Sequence, residues 1–148
     1  MKKYFFFILL ISFISIQAQD IRIPLDTTVV TNNEVIINGQ KVTYKATTGM
    51  QPVWDDHGEI IASLYYTYYK RTNIKNSVKR PIIMSFNGGP GSASVWMHIA
   101  YTGPKVLNID DEGYPIQPYG VKDNPNSILD VADIVYINPV NTGYSRPV

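Results

Sequence analysis

The chain has 148 residues, 45% of them hydrophobic, and carries a formal net charge of +1. That near-neutral balance, with no basic run, argues against a nucleic-acid partner. With no cysteine and only two histidines, His57 and His98, the chain has no thiol nucleophile, thiolate metal site or CxxC redox pair, and no histidine pair at helical spacing for zinc.

In chain order, Met1-Lys2-Lys3 precedes an apolar run from Tyr4 to Ile16, followed by Gln17-Ala18-Gln19. A basic start, an apolar stretch of about a dozen residues and a small residue at its exit predict a signal peptide over residues 1–19, cut after Ala18. The run falls short of the roughly 20 residues of a membrane span; a retained anchor is the alternative. The mature protein is expected to be exported, periplasmic or extracellular, with residues 20–148 forming part of one domain. Lacking disulfides, it must rest on its core.

From Ile21 to Arg71 the chain reads as β. Val35-Ile36-Ile37 and Lys41 to Lys45 flank Asn38-Gly39, a hairpin-turn signal because both residues tolerate positive φ. Asp55-Asp56-His57-Gly58 reads as a turn with a solvated histidine, leading into a long strand from Glu59 to Arg71. Thr72 to Arg80 is polar and basic and is expected to be an exposed connection. Pro81 to Phe86 is a short apolar run that suits a strand buried on both faces of a parallel sheet. Val95 to Ala100 is helix-compatible, with Ser92 or Ser94 as candidate caps and an end near Thr102-Gly103-Pro104. Lys105 to Ile109 is a short strand candidate, Asp110 to Ser127 a loop, and Asp133 to Ile137 a second buried strand. Nothing terminates the chain before Val148, and the sequence reads as a truncated α/β domain.

Between the Pro81–Phe86 strand and the helix lies Asn87-Gly88-Gly89-Pro90-Gly91-Ser92-Ala93-Ser94. Glycines collect where bare backbone N–H groups must approach a ligand, and three readings are open. One is an oxyanion hole, placed as in enzymes whose donor loop follows a central strand. Another is a nucleotide site, since Gly89 to Ser94 imitates G-x-G-x-x-G with serine last and Asp110 lies 21 positions beyond Gly89. Serine for the third glycine, the missing Gly-Lys-Ser/Thr of a P-loop and the signal peptide count against it. The third is a plain turn. No Gly-x-Ser-x-Gly elbow is present. Gly143-Tyr144-Ser145-Arg146-Pro147 is the nearest approach, with no histidine downstream, so Ser145 is a poor nucleophile candidate.

The Asn87–Ser94 segment, Gly103-Pro104, Asn124-Pro125-Asn126-Ser127 and the block from Asp133 to Ser145 together resemble the serine carboxypeptidase family. Its members carry Trp-x-Asn-Gly-Gly-Pro-Gly-Cys-Ser-Ser and Asp-Gln-Pro-Val-Gly-Thr-Gly-Phe-Ser in that order. Proline iminopeptidases share the glycine loop without the second block. The resemblance, spanning about Pro81 to Ser145, implies an α/β-hydrolase-like fold, with an antiparallel β start leading into a parallel sheet and the sequence ending before the nucleophile elbow. It implies a serine-type carboxypeptidase acting on a peptide or small acyl substrate, with no cofactor and no metal. The Gly89 N–H would be an oxyanion donor, and Asn87 with the Gly88 N–H would hold a peptide's C-terminal carboxylate. Pro139 to Tyr144 would floor the cleft. The triad would lie outside these residues, making the 148-residue chain inactive alone. Departures are Ser85 for the family tryptophan, Ser92 for its cysteine, Ile137-Asn138 for its Asp-Gln, and Tyr101 for a carboxylate-recognising glutamate, which bears on exo against endo cleavage. A secreted binding domain and a nucleotide-dependent enzyme are the alternative functions.

Overall fold

The computed structural model describes residues 23–75, 79–88 and 91–148, and the expected signal peptide lies outside them. Three long strands come first: β1 (Thr28–Ile37), β2 (Gln40–Trp54) and β3 (Ile60–Arg71), each antiparallel to the next. Asn38 and Gly39 form the β1–β2 turn as the sequence implies, with φ of 49° and 75°. A turn with positive φ at both residues matches the right-handed twist of the flanking strands, and it sets Val35 opposite Val42. Before β3, the Asp55 carboxylate accepts the His57 and Glu59 N–H groups, both at 2.9 Å, and His57 is an exposed turn residue.

Five short strands follow: β4 (Ile82–Ser85), β5 (Lys105–Leu107), β6 (Val121–Asp123), β7 (Asp133–Ile137) and β8 (Arg146–Pro147). The main sheet runs β1-β2-β3-β7-β4, with β8 also paired to β3; β5 and β6 form a separate hairpin. β7 is antiparallel to β3 and parallel to β4. The expected antiparallel start therefore leads into a parallel pair, a mixed sheet consistent with an α/β-hydrolase-like fold.

The connection from β4 to β7 carries a helical segment at 95–102, of which Met97–Thr102 is a π-helix. Its wide turn shows in the Gly103 N–H bonding His98 O at 3.1 Å and Thr102 Oγ1 bonding Met97 O at 2.9 Å. Gly103 is obligatory there, since a Cβ would lie 2.1 Å from His98 O. Helix ends leave carbonyls without partners. Asn124 Nδ2 bonds those of Tyr101 and Gly103 at 2.9 and 2.7 Å, and Ser127 Oγ that of Thr102 at 3.1 Å.

Alternation along the strands divides the sheet into two faces. On one, Val35, Ile37, Val42, Tyr44, Ile134 and Tyr136 pack with Leu129 into the core, with Tyr69 and Met97 against it. On the other, Leu64, Tyr66, Tyr68, Ile82, Met84 and Val135 line an open apolar groove of about 400 Å³.

Several expectations are corrected. β4 is not buried on both faces: it is the sheet's edge, and Ile82 and Met84 are 56% and 68% exposed because no described element covers the groove. Thr72 to Arg80 is not wholly exposed. Arg80 is drawn inward to Asp133 Oδ1 (Nε, 3.0 Å) and Leu129 O (Nη2, 2.7 Å), beside the Arg71–Asp130 pair at 2.9 Å. The loop from Asp110 to Ser127 contains β6, tied to β1 where Asp123 Oδ2 accepts the Ile36 N–H at 2.8 Å. The last residues are ordered against β3 as β8.

Candidate functional site

The glycine loop leaves the C-terminal end of β4, and the block from Asn138 to Ser145 leaves the same end of its parallel neighbour β7. Gly89 and Pro90 lie outside the described residues. On their near side, Asn87 is half-buried and makes two inward bonds. Its N–H donates to Ser94 Oγ at 3.2 Å, and its Oδ1 accepts the Met97 N–H at 3.3 Å. Asn87 thus caps the helical segment, a role the sequence suggests for Ser92 or Ser94. Ser92 Oγ instead bonds Ala93 O at 3.3 Å. Ser94 Oγ bonds Ile137 O, and only its backbone carbonyl joins the helix, accepting the His98 N–H at 3.0 Å.

Gly88 is exposed, and a Cβ there would meet nothing within 4 Å. No steric demand among the described residues calls for glycine at this position. Bare backbone facing open space suits an approaching ligand.

The second block is fixed from below. Asn138 N–H donates to Tyr65 O at 3.0 Å, and Asn138 O accepts Ser145 Oγ at 2.7 Å. Ser145 Oγ also accepts the Tyr65 N–H at 2.8 Å. Fully buried and engaged on both sides, Ser145 is a structural residue. Asn141, where the family pattern has glycine, takes φ 66°, a conformation asparagine tolerates better than most residues. Between the two loops lies a cavity of about 250 Å³ lined by Ala93, Ser94, His98, Asn138, Gly143 and Tyr144, among others.

His98 borders this cavity. Its Nε2 lies 2.5 Å from Tyr69 Oη, and its ring stacks on Tyr136 with centroids 4.6 Å apart. Burial drives the imidazole down to about 4 and the Tyr136 hydroxyl up to about 12, and it also raises Tyr69. His98 is therefore neutral at ordinary pH, sharing one hydrogen bond between Nε2 and Tyr69 Oη. Nothing in the local sequence distinguishes this histidine.

Two further candidates have local roles. The Asp110 carboxylate accepts the Tyr114 N–H at 2.8 Å within its own turn, which serves the loop and not a ribose. Tyr101, in the place of the family glutamate, is exposed, and its carbonyl is held by Asn124.

A family model described as serine carboxypeptidase matches residues 38–147. The chain belongs to the serine carboxypeptidase family. It is 30% identical over 92 residues to carboxypeptidase Y homolog A of Pyrenophora tritici-repentis, covering 62% of this chain and 15% of that protein. Against carboxypeptidase Y of Schizosaccharomyces pombe it is 29% identical over 105 residues, covering 70% of this chain and 9% of the relative. The pheromone-processing carboxypeptidase KEX1 of Saccharomyces cerevisiae is 32% identical over 87 residues, with coverages of 57% and 11%. Among solved structures, a prohormone-processing carboxypeptidase from Saccharomyces cerevisiae superposes with a TM-score of 0.53 at 23% identity. That superposition covers 68% of this chain and 20% of the other, and at such identity it speaks for the fold. The chain therefore spans only a small part of the family members it matches.

Proposed function

We propose that the chain supplies the oxyanion loop of an exported serine-type peptidase of carboxypeptidase type, which hydrolyses peptide bonds near a free C-terminus by acyl transfer. In this reading the Gly89 N–H stabilises the tetrahedral oxyanion, where loss of one donor costs about 2.7–4 kcal/mol of barrier. Asn87 Nδ2 and the Gly88 N–H receive the substrate's C-terminal carboxylate. The serine nucleophile, its histidine and its aspartate come from sequence beyond these 148 residues.

The observation that carries the reading is the orientation of Asn87. Its amide oxygen accepts the Met97 N–H, and in this reading the NH2 end is the part that meets the ligand. A carboxylate needs donors, and a fixed neutral amide beside bare backbone N–H groups supplies them at little entropic cost.

Calorimetric titration with a peptide bearing a free C-terminus, against the same peptide amidated, tests the proposal. The free acid is expected to bind more tightly, and Asn87→Asp, which keeps the acceptor for Met97 but replaces the donor with charge, is expected to abolish that preference. Equal binding of acid and amide by the unaltered chain would overturn it. A serine-reactive fluorophosphonate is expected to leave the 148-residue chain unlabelled; labelling would show a nucleophile within it.

A further inference from the structure

We infer that Ser94 is a positioning residue for the glycine loop, acting with Asn138; this rests on the reading of Asn87 and Gly88 as carboxylate donors. Ser94 is 1% exposed, and its groups join three parts of the molecule. The hydroxyl donates its single proton to Ile137 O at the end of β7, so it must accept from the Asn87 N–H at 3.2 Å. Its own N–H donates to Asn138 Oδ1 at 3.0 Å. Asn138 is in turn clipped to the middle of β3 by its main-chain bonds to Tyr65 and Ser145. Residues 44 positions apart are thus bolted together, and the two family motifs share one rigid anchor.

The consequence concerns which donors face outward. Ser94 turns the Asn87 N–H inward, and Met97 holds the Asn87 side-chain oxygen inward as well. With those two groups engaged, Asn87 Nδ2 and the N–H of exposed Gly88 are the donors left for a ligand in this reading. Without the Ser94 hydroxyl, Asn87 keeps only its side-chain bond to Met97, and the main chain at Asn87 and Gly88 gains freedom about φ and ψ. Ordering by preorganised hydrogen bonds is worth more to a ligand than the same donors on a mobile loop. Ser94 also borders the 250 Å³ cavity, and threonine is the variant that keeps the hydroxyl.

The test compares Ser94→Ala and Ser94→Thr in the full chain by three measurements. These are hydrogen exchange of the Asn87 N–H by NMR, the ratio of Kd values for amidated and free-acid peptides, and the melting temperature. Ser94→Ala is expected to speed Asn87 exchange at least tenfold and to lower the free-acid preference about fivefold, the worth of one hydrogen bond. Ser94→Thr is expected to restore both. A residue with a merely structural role would lower the melting temperature of Ser94→Ala without moving the ratio, and that result overturns the inference. Unchanged Asn87 exchange in Ser94→Ala also overturns it, whatever the peptide does. No free-acid preference in the unaltered chain, with Asn87 exchange still responding to Ser94, would instead remove the carboxylate reading. Should Ser94→Ala unfold, Ser94→Cys, of similar volume but weak hydrogen bonding, gives the same readouts.

Discussion

At the scale of single residues, backbone conformation and burial set two expectations. Asn141 stands at φ 66° inside the second family motif. Asn141→Gly is expected to change stability by no more than a few tenths of a kcal/mol, whereas Asn141→Val, whose branched Cβ resists that region, should cost about 1–2 kcal/mol. Urea unfolding monitored by tryptophan fluorescence measures both. His98 gives a pH dependence. Its folded value of about 4 lies below the ordinary 6.5 because burial disfavours the charged ring. As pH falls below 6.5 the unfolded chain takes up a proton that the folded chain refuses until about 4. Stability is therefore full above that window and declines through it, by roughly 3 kcal/mol at most. Melts from pH 7 to pH 4 are expected to show this decline, flattened in His98→Gln, which removes the titration and keeps a hydrogen-bonding group for Tyr69. An unchanged slope in that variant would assign the decline to other groups.

At the scale of elements, the ion pairs under the sheet fix the parallel step. Asp133, at the start of β7, receives Arg80 Nε at 3.0 Å and the Arg71 N–H at 3.2 Å. Both partners of the Arg80–Asp133 pair are largely buried. Asp133→Ala leaves the buried Arg80 guanidinium without its anion and the Arg71 N–H without its acceptor, and is expected to cost about 3–5 kcal/mol, read from the shift in urea midpoint; less than 1 kcal/mol would mean solvent replaces the carboxylate. The sequence announces some elements and hides others for identifiable reasons. Asn38-Gly39 is legible because its turn chemistry is local, and Asp133 to Ile137 because a short apolar run makes a strand, though only its Ile134 and Tyr136 face is in the core. Arg80 is hidden because a charged residue in a polar stretch looks solvated until its partner, 53 positions away, is in place. The hydroxyl of Ser94 resembles a helix cap by position, yet its acceptor is Ile137 on another strand. Asn87, singled out as a ligand donor, doubles as the helix cap, which no local pattern indicates.

At the scale of the whole molecule, the open groove dominates behaviour in solution. One face of the sheet is packed and the other presents Leu64, Tyr66, Tyr68, Ile82 and Met84 beside β4, the edge strand among the described residues. Contiguous apolar surface next to an exposed edge promotes association. The chain is expected to self-associate with rising concentration and to bind a hydrophobic dye, and Met84→Lys is expected to reduce both. Light scattering across a concentration series decides it; monomeric behaviour of the unaltered chain would contradict the expectation. Serine carboxypeptidases matched by this chain are several times longer, and the proposed peptidase activity belongs to that larger assembly of elements.

The central proposal is that Asn87 and the Gly88 N–H serve as donors to a carboxylate, and the Gly89 N–H to an oxyanion. The most direct measurement is a two-dimensional NMR titration of the 148-residue chain with a free-acid peptide, following the Gly88 and Gly89 N–H and the Asn87 side-chain NH2. Fast solvent exchange of those groups in the free chain and downfield movement on adding the acid, but not the amide, are expected. Protection of the same groups before any ligand is added, with no response to the acid, would contradict the account.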